Sequence, residues 1–163
     1  MVTANLQLIV NALAAPTAQS IQTVLEDTKT VFWVDAREPE NEIVEACETR
    51  LRTGSLSAEL AGDHSEMFII YNQKRLKVPL TGSPQDRHIT IFSLNRILNP
   101  DYEVRFFTPS GEMDSLAFVA LPIETWWQLE HHYGAFVAKV FYKILPEPNL
   151  FTDHLAVLNL KQF

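Results

Sequence analysis

EMFIIYNQKRLKVPL, Glu66 to Leu80, is the stretch on which the fold turns. Glu66–Asn72 and Arg75–Leu80 are short runs of strand-forming residues, with only Asn72, Gln73 and Lys74 at the junction. Two such runs that close together read as an antiparallel hairpin. Pro79 near the end of the second run marks a sheet edge or a strand end, because proline cannot donate to a ladder. Lys74, Arg75 and Lys77 add charge here. On a strand, Arg75 and Lys77 share one face, while Lys74 and Leu76 share the other. Such residues suit contact with phosphate, and equally suit protection of an edge strand. The acidic balance of the chain favours edge protection.

Downstream, TGSPQD is loop chemistry, with Ser83 or Asp86 placed to cap a helix over about Asp86–Leu98, ended by Asn99-Pro100. Apolar residues occupy more than one side of that segment, so it is expected to be well buried. ITIF within it also fits a strand. YEVRFF, Tyr102–Phe107, alternates and reads as a strand, and LAFVAL, Leu116–Leu121, follows the turn TPSGEMDS as its antiparallel neighbour. Two hairpins therefore bracket a helix. The chain predicts a single α+β domain: a mostly antiparallel sheet of about five strands with helices packed on it.

Beyond Leu121, Trp126, Leu129, Tyr133, Phe136, Val137, Val140, Phe141 and Ile144 step by three and four for five turns. Gly134 inside this pattern costs about 1 kcal/mol relative to alanine and marks a kink or a junction of two helices. Pro146 and Pro148 stop it. The tail, 146–163, is apolar enough to dock on the body. Upstream, 1–27 predicts two short helices interrupted at Pro16, which is placed to open the second. TVFWV, Thr30–Val34, predicts a strand at the start of the 28–145 body, and SLSAELAG predicts a helical turn or a loop.

Between these lies DAREPENEIVEACE, Asp35–Glu48, with six acids and one base. Ile43, Val44, Cys47 and Leu51 form one stripe of a helix over about Pro39–Arg52, which Gly54 is placed to end. Glu40, Glu42, Glu45 and Glu48 crowd the other faces. Like charge at that density costs stability unless water or a basic partner screens it.

A chain of 163 residues with 47% apolar content buries roughly 70% of its unfolded surface and needs no staple. The net charge of −7 argues against nucleic acid or an anionic membrane as partner, and suits a basic protein. Cys47 is the single cysteine; on an apolar stripe it reads as a small buried hydrophobe in a reducing compartment. No basic region opens the N-terminus and no apolar run nears the roughly 20 residues of a membrane span, so the expected location is the cytoplasm.

The chain carries no recognisable catalytic signature. His131 and His132 are adjacent, point about 100° apart on a helix, and lack a ligand partner four residues away, so a helical zinc pair is not formed. The default for the histidines is a surface or capping role. Glu45 and Glu48 beside Cys47 oppose a thiolate. The five glycines never cluster into a phosphate loop. Asp86-Arg87-His88 reads as a cap plus a solvated turn. No motif calls for a cofactor or a metal. Trp126 belongs to the apolar stripe. Trp127 either widens that stripe or stands exposed as a contact residue of the kind enriched in binding hot spots.

The expected function is therefore a non-catalytic protein-binding protein. Asp35, Glu38, Glu42, Glu45, Glu48 and Trp127 form its partner-binding residues, and an inhibitor or immunity-type protein neutralising a basic toxin is the concrete version. The alternative is a small hydrolase or transferase with an unfamiliar site built from Asp35, Glu38, His88 and His131. A homo-oligomer is compatible with either.

Overall fold

The computed structural model describes residues 5–153. Along them run α1 (Leu6–Ala14), α2 (Ala18–Glu26), β1 (Val31–Asp35), α3 (Glu40–Leu51), β2 (Leu56–Ala61), β3 (Glu66–Tyr71) and β4 (Lys74–Val78). There follow α4 (Asp86–Leu98), β5 (Tyr102–Phe107), β6 (Ser115–Pro122), α5 (Ile123–Tyr133), α6 (Phe136–Val140) and β7 (Phe141–Lys143). The class is α+β in one domain, as the two hairpins imply. The strands are not in one sheet of five. They form two antiparallel sheets, ordered β1-β6-β5-β7 and β2-β3-β4.

The β3–β4 hairpin closes on Asn72 and Gln73, with φ of 50° and 70°. Two successive positive values follow the right-handed twist of the flanking strands. Gln73 carries a side chain in that region, a local cost of about 1–2 kcal/mol that the ladder outweighs. β4 is an outer strand, and Pro79 comes directly after its last residue. Its cations are engaged on the outward face. Arg75 pairs with Glu59 at 2.7 Å and stacks 3.6 Å from the Phe68 ring centre, while Lys77 pairs with Glu66 at 3.4 Å.

The four-stranded sheet is buried on both faces. Phe32, Val34, Val104, Phe106, Phe118 and Ala120 enter one core, and Val31, Phe107, Ala117 and Val119 enter the other. This is why LAFVAL is apolar throughout, without alternation. α3 and α4 fill the first core and also touch the three-stranded sheet. α4 thus lies between two sheets, which explains apolar residues on more than one side; ITIF is helical within it. α1, α2, α5 and α6 cover the opposite face. Each fully buried Leu, Ile, Val or Phe contributes about 1.5–3 kcal/mol.

Four local expectations are corrected. SLSAELAG holds a strand, β2, because pairing with β3 outweighs the helix propensity of Leu, Ala and Glu. The five-turn C-terminal helix divides at Gly134, the junction of two helices that was one of its two readings, where a φ of 64° and ψ of −147° suit only glycine; it is the last turn that is corrected. After five residues of α6, Phe141–Lys143 pairs with β5. α2 is opened not by Pro16 but by Thr17, which forms a reciprocal capping box with Ser20. α3 is closed by Arg52 at a φ of 53°, two residues before Gly54.

Asp86 and His88, read as solvated, are each 2% exposed. The Asp86 carboxylate accepts the N–H groups of Thr81 and Gly82, both at 2.8 Å, and folds the preceding loop onto α4. Of the tail, Leu150 is buried and Phe151 stacks on Phe118 with ring centres 6.2 Å apart. Residues 154–163, including His154, lie outside the described residues.

Candidate functional site

The carboxylates of Asp35–Glu48 separate into anchored and free-standing groups. Asp35 ends β1 and accepts the Arg37 N–H at 2.8 Å, a bond that holds its carboxyl below the usual range. The Glu40 side chain pairs with Arg87 of α4 at 3.3 Å, and Arg87 Nε donates to the Glu38 carbonyl at 2.9 Å. Glu48 accepts the Thr53 hydroxyl at 2.6 Å and the Gly54 N–H at 2.7 Å, so it staples the loop after α3. Its charge is committed to the fold.

Glu42 and Glu45 are exposed, and among the described residues no ion pair holds either one. Glu38 lies beside them. Its carboxyl is pushed up by partial burial first, then by the negative charges of Glu42 and Asp35. Repulsion between these acids is thus felt in the free protein, at the N-terminal end of α3. Glu48 is about 12 Å further along the axis than Glu40. The acidic residues do not make one continuous patch.

Trp126 and Trp127 divide between core and surface, so Trp127 does not widen the buried stripe. Trp126 is fully buried, while Trp127 is 65% exposed on the outer side of α5. Beside Trp127 is a cleft of about 450 Å³ that Tyr71, Asp101, Tyr102 and Glu124 help to line. Tyr71 and Tyr102 meet edge to face at 6.4 Å. The Tyr71 hydroxyl donates to Asp101 Oδ2 at 2.7 Å. Burial first, then this bond, raises its pKa far above the ordinary tyrosine value, so it stays a donor. On the other side of Trp127 is a smaller hollow of about 260 Å³ bounded by Gln128, His131 and His132. Of the residues lining the larger cleft, Trp127 alone was read from the sequence as a partner contact. Tyr71, Asp101 and Glu124 come from three separate elements, and no spacing announces their meeting.

The alternative set of Asp35, Glu38, His88 and His131 is not assembled. Asp35 and Glu38 lead into α3 on one side of the four-stranded sheet, and α5, which carries His131, packs on the other. His88 has both nitrogens occupied. Nε2 lies 2.7 Å from the Leu145 carbonyl, and Nδ1 accepts the Leu150 N–H at 3.2 Å. This pattern puts the proton on Nε2 and leaves no lone pair for a substrate. Burial, the dominant cause, lowers its pKa and keeps the ring neutral.

Sequence reasoning missed a buried guanidinium. Arg105 on β5 is 1% exposed, pairs with Glu103 and with Glu130 of α5, the latter at 3.2 Å, and lies 4.4 Å from the Trp126 ring centre. Trp126 Nε1 donates to the Glu103 carbonyl at 2.9 Å. These contacts lock α5 onto the sheet and so aim Trp127 outward. The available signal was an arginine in a strand otherwise rich in buried aromatics.

Among the described residues, no three His, Cys, Asp or Glu side chains gather in a way that would hold a metal ion, and no helix is long and apolar enough to cross a membrane. Set against known proteins, the chain matches no family model, no curated protein and no solved structure.

Proposed function

We propose that this chain is a non-catalytic protein-binding protein whose acidic surface docks a basic protein, in the manner of an inhibitor or immunity protein that neutralises a toxin. The observation that supports it is the cluster at the start of α3. Glu42 and Glu45 are exposed with no ion pair among the described residues, and the Glu38 carboxyl is pushed up by partial burial first and then by the charges of Glu42 and Asp35. Such charge is unfavourable alone and favourable against a cationic surface. It also speeds encounter, since complementary potentials act mainly on the association rate. Glu48 and Asp35 contribute to the field while serving the fold.

The test is Glu42→Lys with Glu45→Lys. Relief of like-charge repulsion on an exposed helix changes stability by only a few tenths of a kcal/mol, so the fold is retained. The partner is isolated by native co-purification, and its association rate is measured at low and high salt. The double variant is expected to associate far more slowly and to lose most of the salt dependence. Equal rates and equal salt slopes for the two proteins would remove α3 from the interface and overturn this reading.

A further inference from the structure

We propose that the cleft beside Trp127 is a receptor for an arginine side chain presented by the basic protein partner. This deepens the binding function proposed above and rests on it for the partner's identity. The cleft's own chemistry is independent of α3.

The volume, about 450 Å³, falls within the roughly 300–1,000 Å³ of pockets that hold small ligands. Its walls combine aromatic rings and carboxylates, from Tyr71, Tyr102, Trp127, Asp101 and Glu124. Aromatic faces attract cations, tryptophan most strongly. The Tyr71 ring already has one, since Lys74 Nζ lies 5.7 Å from its centre and donates to the Asn99 carbonyl at 3.4 Å. Trp127 is 65% exposed, and no cation lies over its ring among the described residues.

The start of α5 also borders the cleft, and a helix N-terminus favours anions. Its effect is equivalent to about half a positive charge. Asp101 and Glu124 bring two full negative charges against that half charge and the Lys74 ammonium beside Tyr71, so the balance still favours a cation. The Ile123 N–H is already spent on the Asp101 carbonyl at 3.1 Å. Asp101 is oriented in advance by Tyr71, which holds Oδ2 and leaves Oδ1 without a hydrogen bond among the described residues. A fixed carboxylate loses little freedom on binding. Arginine fits better than lysine because its planar fork can stack on the indole while it bonds a carboxylate, and it is more weakly hydrated.

The probe is a short glycine–serine peptide carrying one arginine, compared with the same peptide carrying citrulline, its neutral isostere. Binding is followed by NMR at low salt through the tryptophan indole and backbone amide signals. The arginine peptide is expected to bind about tenfold more tightly than the citrulline peptide, the scale of a cation–π contact with a charge-assisted hydrogen bond. Shifts are expected at Trp127, Tyr102 and Glu124. Trp127→Ala and Glu124→Gln, both at exposed positions, should each abolish most of that preference, while Glu42→Lys with Glu45→Lys should keep it. Equal binding of the two peptides, shifts confined to another surface, or an unchanged preference in Trp127→Ala would each overturn the assignment. With the co-purified partner, Trp127→Ala should raise the dissociation rate with little change in association, the opposite of the α3 reversal. Failure of the cleft and failure of the acidic helix are thereby read separately.

Discussion

The imidazole of His88 bridges two backbone groups of the C-terminal segment, with Nε2 2.7 Å from the Leu145 carbonyl and Nδ1 3.2 Å from the Leu150 nitrogen. One side chain on α4 thus fixes the path of the chain after β7. That path brings Leu150 and Phe151 onto the first core.

This bridge makes stability depend on pH. Burial holds the folded imidazole below its ordinary value, and the bond to Leu145, which acts in the opposite direction, is outweighed. As pH falls, the unfolded chain takes up the proton first. Stability is therefore full above about pH 6.5 and declines as pH drops from there towards the folded value. His88→Ala leaves the Leu150 N–H buried without its partner, a loss of about 1–3 kcal/mol. Urea midpoints between about pH 5 and 7 should show a slope in the native protein and a shallower one in the variant. Identical slopes would show that His88 contributes nothing to the acid sensitivity.

Cys47 is expected to be inert in the folded protein. It is fully buried, and its thiol is pushed up to about 12 by burial first and by Glu48 second, with Arg50 acting weakly the other way. At about pH 8 a disulfide reagent should label it slowly in buffer and rapidly in denaturing urea, because the unfolded thiol titrates near 8.5. The unfolded chain ionises first as pH rises, so this group's contribution is full below about pH 8.5 and lost above it. Rapid labelling of the native protein would contradict burial of Cys47.

Arg105 is expected to hold α5 through both charge and packing. Arg105→Ala should cost about 3 kcal/mol, the low end for breaking a buried pair. The low end applies because the Glu103 and Glu130 side chains are 26% and 31% exposed and can rehydrate. Arg105→Met keeps the contact with Trp126 and should cost clearly less. The measurement is the urea midpoint of each variant. A methionine midpoint as low as that of alanine would assign the whole effect to the ion pairs.

The elements legible in the sequence are those whose burial repeats with a local period. β3, β4 and β5 alternate or carry the residues of strands, and the Ile43–Leu51 stripe defines α3. β2 was not legible. Leu56, Ser57, Ala58, Glu59 and Leu60 are mostly compatible with a helix, and only the ladder to β3 makes them extended. β7 was hidden because Phe141 continues the spacing of Val137 and Val140. Its face is buried either way, and the backbone at Gly134 decides where the chain leaves the helix.

The candidate site divides in the same manner. Sequence alone determined the α+β class, the two hairpins around α4 and the acidic density of Asp35–Glu48, because each depends on neighbours within a few residues. That Trp127 stands exposed rather than widening the stripe of Trp126 came from the packing of α5. Only the tertiary structure decided which carboxylates are free. Glu48 is consumed by Thr53 and Gly54, and Glu40 by Arg87 from 47 positions away, while Glu42 and Glu45 remain exposed. It alone set Asp101 against Tyr71, and Arg105 against Glu130 and Trp126. The physical reason is that a hydrogen bond or an ion pair acts over a few ångströms in space. Distance along the chain says nothing of it until strands from separate hairpins and helices from both ends have packed on one sheet.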